Sequence, residues 1–156
     1  MTLYVYLAAP YAARDSLQVL ADELSQIGMT VTSSWLEETH EVNADTVGTA
    51  PGIEDAQAAS HVRADFGDIR RSDVLVIFTP PTWITTDGPL HLPGDLGNSG
   101  GRHVETGYAL ALDKAVLVVG QAENIFHRTL PVVRTWHEAV LWLVAHERAC
   151  PQAVQS

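Results

Sequence analysis

Asp73-Val74-Leu75-Val76-Ile77-Phe78 is the clearest buried strand in the chain. Its apolar run has no polar alternation, so it belongs at the centre of a parallel sheet covered on both faces. Upstream, Ile53 to Arg71 reads as a helix with charged residues on one side. Downstream, Thr79 to Gly101 holds Pro80, Pro81, Pro89, Pro93 and several glycines, and reads as a long loop at the carboxyl end of that strand. Val104 to Asp113 follows as a helix, Ala115 to Val119 as a strand closed by Gly120, Pro131 to Arg134 as a short strand, and Trp136 to Glu147 as a last amphipathic helix.

Toward the N-terminus, Thr2 to Ala8 is a buried first strand closed by Ala9-Pro10. Arg14 to Ile27 carries Leu17, Leu20, Ala21, Leu24 and Ile27 at helical spacing and ends at Gly28, and Met29 to Ser33 gives a second strand. Glu37 to Gly52 is polar and aperiodic, and reads as a mobile loop of the kind that forms lids. Strand and helix alternate throughout. That alternation predicts an α/β fold: an open doubly wound sheet, flavodoxin- or Rossmann-like, of about five parallel strands with flanking helices. Ligands of such sheets bind beyond the carboxyl ends of the strands.

The 156 residues are one domain's worth, read here as a single domain over 1–150 with a tail over 151–156. Nine Lys and Arg stand against 19 Asp and Glu, a formal charge of −10, which argues against a nucleic-acid polymer as partner. Cys150 is the only cysteine, so no disulfide framework forms and a cytoplasmic home is expected. There is no basic leader, and no apolar run approaches the ~20 residues of a membrane span, so a soluble, unprocessed protein is expected.

Asn98-Ser99-Gly100-Gly101-Arg102-His103-Val104-Glu105-Thr106-Gly107-Tyr108-Ala109 carries the chemistry. A glycine pair opens a helix, and a lone carboxylate, Glu105, follows within its first turn or so. Free N–H groups at a helix start favour anionic oxygens, and the glycines allow close approach. The same pattern also describes a plain turn followed by a dipole-complementing Glu. Arg102 and His103 fit either a phosphate or base contact or a solvated surface. Asp68 and Asp73 read as an exposed helix residue and a strand-start turn residue. His40, His61, His91, His127, His137 and His146 show no metal-ligand spacing, so no metal or other cofactor is expected. Trp136 and Trp142 fit the apolar face of the last helix, while Trp35 and Trp83 sit beside loops where they could line a base pocket.

In this fold the loops after Leu7, after Phe78 and before Glu105 converge on one crevice, where Tyr6, Asp65, Ser99 and Glu105 can meet. Tyr6-Leu7-Ala8-Ala9-Pro10-Tyr11 resembles the Tyr-Leu-Ala-Gly-Pro-Phe type of opening of the nucleoside 2-deoxyribosyltransferase family. Asp65-Phe66-Gly67-Asp68-Ile69-Arg70-Arg71-Ser72-Asp73-Val74 resembles that family's Asp-x-x-x-Ile-x-x-Ala/Ser-Asp segment. Ser99 to Lys114, with Glu105-Thr106-Gly107-Tyr108-Ala109, resembles its Gly-x-x-x-Glu-x-Gly-x-Ala helix. The segments stand in family order and span roughly three quarters of the chain.

The resemblance implies that Glu105 is a nucleophile trapping the anomeric carbon as a glycosyl ester, that Asp65 moves the proton to and from the base, and that Tyr6 orients the nucleophile. It implies substrate contacts from Ala9, Pro10, Ser99, Gly100, Gly101 and Arg102. It further implies a homodimer or larger homo-oligomer in which a neighbouring subunit completes each site, with Asn124, His127 and Thr129 as candidates here.

Ser99 stands where transferases of free nucleosides keep an Asp, six residues before the nucleophile. A hydroxyl accepts a 5′-phosphate where a carboxylate repels one, and the 2′-deoxynucleoside 5′-phosphate N-hydrolase relatives carry Ser there. Pro10, replacing a phosphate-facing residue of those hydrolases, points the other way. The expected activity is cleavage of the N-glycosidic bond of a nucleoside 5′-monophosphate or nucleoside, with water as acceptor. The alternatives are a deoxyribosyltransferase exchanging nucleobases and a nucleotide-binding protein without chemistry.

Overall fold

The computed structural model describes residues 2–38, 53–79, 83–85, 88–89 and 100–150. Its centre is a sheet of five parallel strands in the order β2-β1-β3-β6-β7: β1 (Tyr4–Ala8), β2 (Thr30–Val31), β3 (Val74–Phe78), β6 (Ala115–Val119) and β7 (Val132–Val133). Four helices join them: α1 (Arg14–Gln26), α2 (Ile53–Arg71), α3 (Gly101–Ala111) and α4 (Trp136–Ala149). The expected fold class is therefore the observed one.

β3 earns its apolar run, since all five residues are buried between β1 and β6, with Tyr6 opposite Leu75 and Leu75 opposite Val116. On one face Trp136 of α4 stacks near Phe78 at 5.9 Å and donates its indole N–H to Glu23 of α1 at 2.8 Å. On the other, Phe66 of α2 stacks on Tyr108 of α3 at 4.2 Å. Leu17, Leu20 and Leu24 give α1 its buried stripe. Gly28, at φ +91°, then ends the helix in the left-handed region that suits glycine. α4 begins with a reciprocal cap, in which the Thr135 hydroxyl accepts from Glu138 N–H and the Glu138 carboxylate accepts from Thr135 N–H.

The structure changes four of the expected elements. The second and last strands shrink to Thr30–Val31 and Val132–Val133, as edge strands often do. Part of the loop from Thr79 to Gly101 is a small antiparallel hairpin, β4 (Trp83–Thr85) with β5 (Gly88–Pro89). Helix α3 starts at Gly101, a full turn before the expected Val104, because the apolar pattern begins only after the glycine pair. Most of the expected lid, residues 39–52, lies outside the described residues, as do Ser99 and the tail over 151–156. Among the described residues no helix is long and apolar enough to cross a membrane.

Only the order β2-β1-β3 reverses direction in the sheet: from β1 the chain goes to β2 on one side and then to β3 on the other. Such a switch point opens a crevice at the carboxyl ends of the strands. The crevice wall depends on Gly120, at φ +126°, where a Cβ would lie 1.7 Å from the Thr79 carbonyl oxygen. We expect Gly120→Ala to cost on the order of 3 kcal/mol or more, through backbone strain and collision together. Thermal unfolding would show a fall of more than about 5 °C; a melting temperature within a degree of wild type would contradict this close approach.

Candidate active site

Tyr6 is fully buried in β1, and its hydroxyl donates to Glu105 Oε1 at 2.9 Å across 99 residues of chain. Strand geometry explains the direction. Leu7 points to the opposite face from Tyr6, and its backbone is held by Ser33 Oγ (2.6 Å on the N–H) and by the Trp35 indole (2.9 Å on the carbonyl). Glu105 is the fifth residue of α3, so it lies in the second turn rather than among the free N–H groups at the helix start. Its partner is the Tyr6 phenol and not the helix dipole.

Asp65 joins this pair from α2. Its Oδ1 is buried and has no hydrogen-bond partner among the described residues. Burial pushes Glu105 up to about 7, with the Asp65 charge adding to it and the Tyr6 hydrogen bond opposing it. Burial likewise raises Asp65 to about 6; Glu38 and Asp68 add to the rise, while His61 and the nearby Tyr6 hydroxyl oppose it. Burial, Glu105 and Asp65 hold the Tyr6 phenol well above its usual range, so it stays a donor. Two carboxyls that titrate near neutrality therefore flank one permanent hydroxyl donor.

Several residues occupy positions other than those expected. Asp68 is buried, not exposed: it accepts from Ser34 N–H (2.8 Å) and Ser34 Oγ (2.6 Å) and pairs with Arg71, bolting the 34–38 segment onto α2. Arg102 is buried rather than solvated, and its guanidinium contacts both oxygens of Glu123 at 2.7 and 2.8 Å. A phosphate reaching Arg102 would compete with that carboxylate. His103 also faces Glu123, at 3.3 Å. Gly100, at φ −60°, needs no glycine conformation, and a Cβ on Gly100 or Gly101 would meet nothing within 4 Å among the described residues.

Asn124 turns onto its own loop, where its side-chain oxygen accepts from the His127 N–H at 3.1 Å, and His127 is itself buried. Thr129 bonds the Phe126 carbonyl. Trp35 is a core residue, which answers its expectation as a pocket lining. Asp73 binds Tyr4 N–H at 2.9 Å and fixes the start of β3 beside β1. Ala9 is half-buried and Pro10 buried, just past the end of β1. Among the described residues no group of three or more His, Cys, Asp or Glu is placed to hold a metal ion.

Sequence reading missed the pair formed by His61 and Glu38, whose Nδ1 and Oε1 lie 2.6 Å apart beside Asp65. His61 was visible at helical spacing before Asp65, but Glu38 comes from a separate segment.

No protein-family model matches the chain, and no curated protein sequence matches it. Among solved structures it is similar to Clostridium botulinum CMP N-glycosidase, BcmB, at 16% identity over 90% of this chain and 98% of that one, with a TM-score of 0.48. It is also similar to a conserved protein from Enterococcus faecalis V583, at 16% identity over 94% of this chain and 99% of that one, with a TM-score of 0.48.

A buried carboxyl costs stability when charged. Because Glu105 binds its proton more tightly folded than unfolded, its contribution is favourable at low pH and is lost as pH rises from about 4.5 toward about 7. The difference amounts to about 3 kcal/mol, an order-of-magnitude figure from about 1.4 kcal/mol per pH unit. Glu105→Gln keeps an acceptor for Tyr6 without the charge, so it should melt several degrees above wild type at pH 8 and show little gain at pH 5. Equal melting of the two proteins at pH 8 would contradict a desolvated carboxyl.

Proposed function

We propose that the protein cleaves the N-glycosidic bond of a nucleoside 5′-monophosphate or nucleoside through a glycosyl ester on Glu105, with water as acceptor. The observation that carries this reading is the Tyr6 hydroxyl bonded to Glu105 at 2.9 Å, with the half-buried Asp65 carboxyl beside them. Heterolysis of a sugar–base bond develops positive charge at the anomeric carbon and negative charge on the base. One carboxylate to meet the carbon and one carboxylic acid to protonate the base answer both needs. A binding protein needs neither.

In this scheme the Glu105 carboxylate attacks the anomeric carbon while the C–N bond breaks, its electron pair leaving with the base. Asp65 gives its proton to a base nitrogen. Water then attacks the glycosyl ester, Asp65 takes back a proton, and Glu105 is released. Tyr6 keeps one Glu105 oxygen hydrogen-bonded, which leaves the other free to react. In the free protein burial raises the proton affinity of both carboxyls, whereas the reaction needs Glu105 charged and Asp65 protonated. A cationic sugar carbon over Glu105 and a basic nitrogen on Asp65 both favour that distribution, so transition-state binding supplies it.

The start of α3 at Gly101 supports a sugar or phosphate seated near it, where the free N–H groups of a helix start favour anionic oxygens. The preference for a 5′-phosphate rests on Ser99. The assay is chromatographic: nucleosides and 5′-monophosphates are incubated with the protein, with and without a second free base. Release of base without exchange, faster from monophosphates, is expected; efficient base exchange from free nucleosides would replace this reading with the transferase one.

Glu105→Ala and Glu105→Gln should each lose more than ~10³-fold in kcat/KM, about 4 kcal/mol of transition-state stabilisation. Retained activity in Glu105→Gln would remove the nucleophile. The pH profile of kcat/KM should be bell-shaped with its maximum between about 6 and 7. Below it both carboxyls are protonated and no nucleophile remains; above it both are charged and no acid remains. A flat profile from pH 5 to 8 would contradict the assignment.

A further inference from the structure

Glu38, a half-buried glutamate, is held from several sides. Its N–H donates to the Trp35 carbonyl at 3.2 Å, and its own carbonyl accepts from the Tyr11 hydroxyl at 3.1 Å and from the Arg14 guanidinium. Its carboxylate meets His61 Nδ1 at 2.6 Å. His61 lies four residues before Asp65 on α2, so the two side chains share one helix face, a turn apart. The same face thus carries an imidazole engaged by a fixed carboxylate and, next to it, a carboxyl whose Oδ1 is buried and has no partner among the described residues.

Among the described residues, the groups facing Asp65 are Tyr6 from β1, Glu38 from the 34–38 segment, His61 and Asp68 from α2, and Glu105 from α3. Asp68 is committed to Ser34 and Arg71, and Glu105 to Tyr6. Glu38 and His61 are the pair whose charges oppose one another there. Glu38 disfavours the charged form of Asp65 and His61 favours it.

Resting on the reading above, we propose that His61 is a positioning residue for Asp65, holding Glu38 fixed and its negative charge compensated one helical turn from the carboxyl that carries the proton. His61 acts through Glu38 and Asp65 and not on substrate. Its hydrogen bond keeps the Glu38 carboxylate from swinging toward Asp65, where a second negative charge would tighten the hold on the proton and make Asp65 a poorer donor to the departing base. The Tyr11 and Arg14 contacts fix the backbone from which that carboxylate extends.

The test is a titration of the Asp65 side-chain carboxyl by carbon-detected NMR in the full chain without substrate, for wild type, His61→Gln and Glu38→Gln. His61→Gln should move the Asp65 midpoint up and Glu38→Gln should move it down, each by about 0.5–1 pH unit, with the double variant between them. The alkaline limb of kcat/KM should move in the same two senses. A pair that merely clamps the 34–38 segment would lower the melting temperature in both variants and leave the Asp65 midpoint still, or move it the same way in both. Either outcome overturns the proposal, as does one variant moving against its sign. If the wild type releases no base from any nucleotide, the reading of the function fails, and the titration still decides the pair.

Discussion

The parallel pairing of β1 with β3 is the constraint on which the rest of the molecule hangs. With Val5 opposite Val74 and Tyr6 opposite Leu75, every side chain of β3 is removed from water, and in β1 Val5, Tyr6, Leu7 and Ala8 are buried on the two faces of the sheet. A slip of one residue would turn Tyr6 to the face covered by α1 and α4. It would thus part the phenol from Glu105. Asp73 secures the register from the side, its carboxylate on Tyr4 N–H and its own N–H on the Tyr4 carbonyl at 2.7 Å.

From that register follows an electrostatic consequence. A buried phenol draws its hydrogen-bond acceptor partly out of water, and the helix that brings Glu105 to it packs against the helix that brings Asp65. Two acidic groups are then short of water and near each other, which is how their proton affinities come to lie near neutrality. Such an arrangement weakens the fold and is retained at sites of chemistry more often than elsewhere. The ion pair of Arg102 with Glu123 ties the first turn of α3 to the loop after β6, so the helix that carries Glu105 is anchored at both its start and its packed face.

The alternation of strand and helix was legible because the two periods, and the unbroken run of Val74 to Phe78, leave little freedom in assigning the elements. Tyr6, Asp65 and Glu105 were legible through short motifs, and the topology does bring Tyr6 and Glu105 into hydrogen bond. What sequence could not give is partner choice. Asp68 reads as exposed because a charged residue on a helix is ordinarily solvated, and only the fold supplies Ser34 and Arg71 to bury it. Glu38 and Glu123 come from loops whose course depends on tertiary contacts, so neither the His61 pair nor the Arg102 pair shows in any local pattern. The start of α3 was misplaced by a turn because Gly100 and Gly101 have low helix propensity, which tertiary packing overrides.

The central claim is that Glu105 forms a bond to sugar, and covalent trapping tests it most directly. A nucleoside 5′-monophosphate bearing fluorine at the sugar 2′ position destabilises the cationic transition states and slows hydrolysis of the ester. Intact-mass and peptide mass spectrometry of the full chain after incubation should then find one sugar phosphate on the peptide that contains Glu105, and none in Glu105→Gln. Turnover of the natural monophosphate with no adduct on that peptide, or an adduct on another carboxylate, would contradict the account.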